Sequence, residues 1–245
     1  MPEIGLVGLG RMGVPICANL VRAGYGVRAG DRRPEAAEQA ARCGARWVPQ
    51  LARLAAGADV LITVLPGAGE VRQLMLGAGV AAALRSGTTW IDMTSNSPTA
   101  MTEIRKAVLG RGVQVLDAPV GGGVAAAWHG ALQLLVGGQA RVVAQHRDLL
   151  EILASPGQLR HVGGYGAGYT AKLLINLLWF GQAVGTAEAL CCWAWHPGWT
   201  WGSCGTFWLT ARPARDSSMM ICRPCSAATS CGRSAWTAVT RNSRS

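Results

Sequence analysis

At 245 residues, half of them hydrophobic and only 15% charged, the chain can bury the core of one large domain or of a domain with a smaller companion, which excludes a disordered protein. Its net charge of +10 does not mark a nucleic-acid-binding protein, because the excess is uneven. Residues 1–190 hold 17 Lys/Arg against 12 Asp/Glu, and the last 55 residues hold six Arg against the single Asp216.

Met1-Pro2-Glu3 runs straight into Glu3-Ile4-Gly5-Leu6-Val7, which reads as a short buried strand. No secretory signal is expected from this start, and a cytoplasmic location is the default. Residues 11–23 carry helical spacing (Met12, Ile16, Leu20), and a second strand near 26–30 ends at Asp31-Arg32-Arg33. Pro34 is placed to open a helix at 35–43. Short apolar strands recur at 59–65, 88–92 and 113–117, separated by helix-like stretches at 68–76 and 98–110. A strand at 132–136, a helix near 139–153 and a strand near 159–162 follow, and a long helix begins beyond Gly163-Gly164-Tyr165-Gly166. Its most apolar part, 173–190, includes Asn176, Gln182 and Glu188, which suits a buried helix better than a membrane span. Strands alternating with helices predict an α/β fold, a Rossmann-like, doubly wound, mostly parallel sheet followed by a long helix.

The clearest local motif is Gly8-Leu9-Gly10-Arg11-Met12-Gly13, after the first strand and at the opening of the first helix. In a G-x-G-x-x-G turn the first glycine makes the turn, the second admits a pyrophosphate, and the third lets helix and strand pack closely. The helix N-terminus then favours the anion. Asp31, 23 residues after Gly8, is near the offset of a ribose-binding carboxylate, about 20 residues. It favours NAD. Arg32 and Arg33 pull toward NADP, since a guanidinium there can pair with a 2′-phosphate. The cofactor is therefore NAD or NADP, with the acid tipping the balance to NAD.

Four blocks resemble the 3-hydroxyisobutyrate dehydrogenase, or β-hydroxyacid dehydrogenase, family, which is 6-phosphogluconate dehydrogenase-like. They are Gly-Leu-Gly-Arg-Met-Gly-Val-Pro-Ile-Cys-Ala-Asn-Leu at 8–20, Asp-Met-Thr-Ser-Asn-Ser-Pro at 92–98, Asp-Ala-Pro-Val-Gly-Gly-Gly at 117–123 and Gly-Ala-Gly-Tyr-Thr-Ala-Lys-Leu-Leu-Ile-Asn at 166–176. The resemblance implies that Lys172 is the catalytic lysine, a general acid/base on the substrate hydroxyl, and that Asn176 binds substrate and orients the lysine. It implies that Leu65, Pro66 and Ser95 line the cofactor, and that Gly121, Gly122 and Gly123 lie at the substrate. Lys172 is one of two lysines in the chain, Lys106 being the other, and Asn176 lies four residues on, hence on the same helix face. The family usually has serine where this chain has Gly121, so backbone N–H groups are left as donors to a substrate carboxylate. Ile175 replaces the first asparagine of the family's usual pair. Imine reductases share the architecture but generally lack the lysine.

After Leu190 the composition changes. Six of eight Cys and six of ten Trp lie in 191–245, and 191–202 has no apolar period. Cys and Trp codons in succession are what GC-rich Leu and Gly codons give one base out of phase. Regrouped by one base, a back-translation of 191–202 reads Leu-Leu-Gly-Val-Ala-Ser-Gly-Leu-Asp-Leu-Gly, which points to a frameshift near residue 190. A zinc site at Cys222 and Cys225 with Cys231, Cys204 and His196 is the rival reading, but the second ligand pair is missing. No metal is expected, and neither nucleic acid nor membrane is an expected partner.

The expected organisation is a dinucleotide-binding domain at 1–164, an inter-domain helix at 165–190 and an atypical Cys/Trp/Arg-rich tail at 191–245, with the family's all-helical C-terminal domain missing or replaced. The resemblance implies homo-oligomers built through that helical domain. The expected function is an NAD(P)-dependent oxidoreductase interconverting a small 3-hydroxyacid and its 3-oxoacid or semialdehyde. The alternatives are a catalytically impaired dinucleotide-binding protein and a related reductase of another carbonyl or of an imine.

Overall fold

The computed structural model describes residues 1–194. Six parallel strands form most of its sheet: β1 (Ile4–Val7), β2 (Val27–Gly30), β3 (Arg46–Trp47), β4 (Val60–Thr63), β5 (Thr89–Asp92) and β6 (Gln114–Asp117). They lie in the order β3-β2-β1-β4-β5-β6. Beyond β6 come β8 (Leu132–Gly137), antiparallel to β6 and to β7 (Val120–Gly121), and β9 (Ala154–Gly163), parallel to β8. The chain leaves β1 in one direction for β2 and β3 and returns on its other side as β4. This reversal of strand order opens a crevice at the carboxyl ends of β1 and β4.

The strands are buried on both faces, and alternate residues feed two cores. Ile4, Leu6, Ile62, Ile91 and Leu116 face one side with Ile16 and Leu20 of α1 (Gly13–Arg22). Val7, Leu61, Trp90 and Val115 face the other with Leu54 of α3 (Leu51–Ala56) and with Ile104 and Val108 of α6 (Thr102–Leu109). The doubly wound, mostly parallel sheet expected from the sequence is present.

Some elements differ from the expected ones. β3, α3, α5 (Val80–Ala83), β7 and α7 (Gly123–Trp128) are too short to show a period. The helix expected at 68–76 is α4 (Ala68–Arg72) running into a π-helical turn at Gln73–Gly77. The helix expected at 139–153 is two helices, α8 (Ala140–Gln145) and α9 (Arg147–Glu151), broken at His146. That ring is drawn into the structure by a 2.8 Å hydrogen bond between Nε2 and Thr89 Oγ1. β9 begins five residues earlier than expected, because an irregularity takes up the chain between Ala154 and Leu159.

The long helix is α10 (Ala167–Ala194), which follows α2 (Ala36–Arg42) and the other helices in chain order. By contact the chain divides into Met1–Thr186 and Ala187–Ser245. The expectation of a buried helix is corrected here. Leu174, Leu177, Leu178, Phe180 and Val184 are each more than half exposed. Apolar composition reports what a helix face can bury, and among the described residues these side chains stay exposed. The helix is long and apolar enough to cross a membrane by length and composition. Residues 195–245, with all five proposed zinc ligands, lie outside the described residues.

Candidate dinucleotide and proton-transfer site

The glycine turn leaves β1 at the crevice. Gly8 has φ +103°, and a Cβ there would lie 2.2 Å from the Val64 carbonyl oxygen. A Cβ on Gly13 would lie 1.7 Å from the Gly8 carbonyl oxygen, so α1 rests directly on the strand end. Gly10 differs: a Cβ there would meet nothing within 4 Å. Two glycines close the turn on itself and the third faces open space. Among the described residues, no hydrogen bond uses the N–H groups of Gly10, Arg11 or Met12. Exposed amides beside an open glycine at a helix N-terminus suit a pyrophosphate. Leu9 is buried beneath the turn.

Asp31 follows β2 and ties the turn down. Its Oδ2 accepts the Leu9 N–H at 2.8 Å, and its Oδ1 accepts the Arg33 N–H at 3.0 Å. The Arg33 guanidinium donates to both oxygens, at 3.0 and 3.1 Å, and to the Leu9 carbonyl at 3.0 Å. Burial by itself would raise the Asp31 pKa. The Arg33 guanidinium and the N–H groups of Arg33 and Leu9 outweigh it and hold the carboxyl below its ordinary value. Arg32 is exposed and Arg33 partners the acid.

Leu65 and Pro66 follow β4, and the Leu65 N–H donates to Thr94 Oγ1 at 3.1 Å. This bond joins the loop after β4 to the loop after β5, which carries exposed Ser95. Asp92, fully buried at the end of β5, accepts from Thr63 Oγ1 at 2.7 Å, the Thr94 N–H at 3.1 Å and Asn96 Nδ2 at 3.3 Å. Gly122 and Gly123 both have positive φ, +103° and +72°, and are exposed. At Gly121 a Cβ would lie 3.2 Å from Gln133 Oε1, its neighbour across β7 and β8.

Lys172 and Asn176 lie on α10, both half-buried, with fully buried Tyr169 on the same face. At about 100° per residue, Tyr169 and Asn176 nearly overlie and Lys172 sits about 60° to the side. Burial pushes the Lys172 pKa down. The Tyr169 hydroxyl donates to Asp92 Oδ2 at 2.6 Å, and the Tyr169 N–H donates to Asp117 Oδ2 at 2.9 Å. Sequence spacing assigns no role to Asp92, Asp117 or Tyr169, although each lies in one of the four blocks. The available signal was an acid ending two consecutive apolar strands.

Residues 3–165 match the family described as the NAD binding domain of 6-phosphogluconate dehydrogenase. The chain belongs to this family. Among relatives of this NAD-binding domain, 3-hydroxyisobutyrate dehydrogenase of Pseudomonas aeruginosa is 37% identical over 191 residues, which are 78% of this chain and 63% of that protein. The structure of Mycobacterium tuberculosis 3-hydroxyisobutyrate dehydrogenase with L-serine is similar with a TM-score of 0.72 and 39% identity, over 77% of this chain and 64% of that one. An imine reductase from Myxococcus stipitatus in complex with NADP+ is similar with a TM-score of 0.67 and 26% identity, over 78% and 65%. The chain thus spans a little under two thirds of the length of the relatives it matches.

Proposed function

We propose that this chain is an NAD(P)-dependent oxidoreductase acting on a small 3-hydroxyacid. The observation that carries the reading is the placement of the half-buried amine of Lys172 on a helix seated at the carboxyl edge of the same sheet that presents the glycine turn. Gly8, Gly10, Gly13 and the free amides of residues 10–12 suit the pyrophosphate, Asp31 the adenosine ribose, and Arg33 a 2′-phosphate on that ribose. When bound, the dinucleotide supplies a two-electron hydride acceptor or donor. Lys172 Nζ takes the hydroxyl proton as the carbonyl forms and returns it in reduction. Burial lowers the pKa of the amine, so more of it is free to act as a base near neutrality. Asn176, on the same face, orients substrate, and the backbone of Gly121, Gly122 and Gly123 offers N–H groups to its carboxylate.

The substrate class is supported by the relatives. Two are named for 3-hydroxyisobutyrate, and one of them was solved with L-serine; both molecules are 3-hydroxycarboxylates. The test is oxidation of NADH and NADPH by the full chain with a panel of 3-oxoacids and semialdehydes. Saturable turnover supports the reading. Cofactor binding without turnover supports a second one, a dinucleotide-binding protein impaired in catalysis, which Gly121 and the uncovered apolar face of α10 favour.

A further inference from the structure

We propose that Asp117 and Asp92 are positioning residues for Lys172, gripping the first turn of α10 at two points and thereby fixing where its amine lies. The inference rests on the proposed role of Lys172. The two aspartates end neighbouring strands and are register partners across β5 and β6. Asp117 takes the place of a helix cap. Its Oδ1 accepts the Gly166 N–H at 2.8 Å and its Oδ2 the Tyr169 N–H at 2.9 Å, although it lies 49 and 52 residues away in sequence. Asp92 holds the same turn through a side chain, accepting the Tyr169 hydroxyl at 2.6 Å.

The turn is seated without clearance. A Cβ on Gly168 would lie 2.3 Å from the Leu135 carbonyl oxygen and 2.8 Å from that of Asp117. A Cβ on Gly137 would lie 2.6 Å from Asp117 Oδ1. Glycine at both places lets helix, strand and carboxylate meet. Lys172 follows Tyr169 by three residues, so its Cα is carried by the turn that both acids hold.

Anchoring alone would not call for two buried acids. A neutral Ser, Thr or Asn at the helix start satisfies the free amides at lower desolvation cost. Asp92 and Asp117 are fully buried, and burial raises the pKa of each carboxyl above its ordinary value. Among the described residues, the titratable and charged groups packed around the pair are Tyr165 and Tyr169, with Arg105 of α6 over the Tyr165 ring at 4.7 Å. Paired acids fix the rotation of the helix as well as its depth, because one holds backbone and the other a side chain on the face that carries Lys172.

The experiment is competitive acylation of the full chain across a pH series, read by peptide mass spectrometry, with exposed Lys106 as internal reference. Tyr169→Phe removes one hydroxyl and no charge; Asp117→Asn removes a charge whose loss by itself would lower an amine's pKa. The expected result is that the half-labelling pH of Lys172 rises by about half a unit or more in both variants as the amine gains solvent, with Lys106 unchanged. An unchanged Lys172 midpoint in cooperatively folding Tyr169→Phe overturns the proposal, whether or not Asp117→Asn folds. Turnover of the wild-type chain is scored separately. Shifted labelling without turnover upholds the grip while the functional reading fails, and Lys172-dependent turnover with unshifted labelling does the reverse.

Discussion

Asp31 accepts the backbone N–H of Leu9 at 2.8 Å, so the acid that ends the second strand also locks the glycine turn that follows the first. Arg33 covers the same carboxylate from the solvent side, and its side chain remains 44% exposed. Arg33→Ala is expected to weaken NADPH binding about tenfold, the worth of one charge-assisted contact, and to leave NADH binding within about twofold. Fluorescence titration with both dinucleotides checks this, and equal loss of both would remove Arg33 from 2′-phosphate recognition.

The glycines of the turn separate stability from binding. Gly13→Ala places a methyl group against the Gly8 carbonyl and should cost about 1–3 kcal/mol, lowering the melting temperature by several degrees. Gly10→Ala meets no protein atom and should melt within about 2 °C of the wild type while losing dinucleotide affinity. Thermal melts with and without NADH give both numbers. A Gly10→Ala protein that binds NADH normally would place the pyrophosphate elsewhere.

Lys172 sets the expected pH dependence. Its pKa is lowered by burial, so the free amine needed for oxidation accumulates below the ordinary lysine range. Alcohol oxidation should rise with pH through that lowered pKa, and carbonyl reduction, which needs the ammonium, should fall through it. Lys172→Ala should lose about 10²–10⁴ in kcat/KM in either direction. Identical pH profiles for wild type and Lys172→Ala would assign proton transfer to another group.

Asp117 makes a stability prediction of unusual sign for a carboxylate. Burial, opposed by the amides of Gly166, Tyr169 and Gly168, brings its pKa up to about 6 from 3.8. The folded state holds this proton more tightly than the unfolded one, so the contribution of Asp117 to stability is greatest below about pH 4 and declines as pH rises through 6. Asp117→Asn does not titrate. The stability difference between wild type and variant should therefore shrink by about 2–3 kcal/mol from pH 4 to pH 7. Urea unfolding at the two pH values measures it, and a difference that widens with pH contradicts the raised pKa.

Much of this was legible in the sequence, for identifiable reasons. The glycine turn and Asp31 are set by local chain geometry, so spacing alone located them. Lys172 was distinctive as one of two lysines, on an apolar helix with Asn176 at i+4. Asp92, Asp117 and Tyr169 were not assigned roles because their partners lie 49 to 77 residues away, and only the assembled sheet brings β5, β6 and α10 together. His146 broke a helix for the same reason, through a bond to Thr89. The exposure of α10 is not legible in the sequence, because apolar composition cannot say what covers a face.

The exposed face of α10 predicts behaviour in solution. Leu174, Leu177, Leu178 and Phe180 form an apolar surface that water disfavours, and the protein should self-associate. Size-exclusion chromatography with light scattering tests this; a monodisperse monomer would show that these side chains are covered. Sequencing the gene across codon 190 tests the frameshift inferred from the Cys/Trp-rich tail, and an unbroken frame encoding this same tail would end that inference.

The most direct measurement is steady-state oxidation of NADH and NADPH by the full wild-type chain and by Lys172→Ala, with a 3-oxoacid panel as substrate. Saturable turnover with at least one cofactor is expected, with near-complete loss in Lys172→Ala and dinucleotide binding retained. Turnover that survives the substitution, or no turnover by a wild-type chain that binds the dinucleotide, would contradict it.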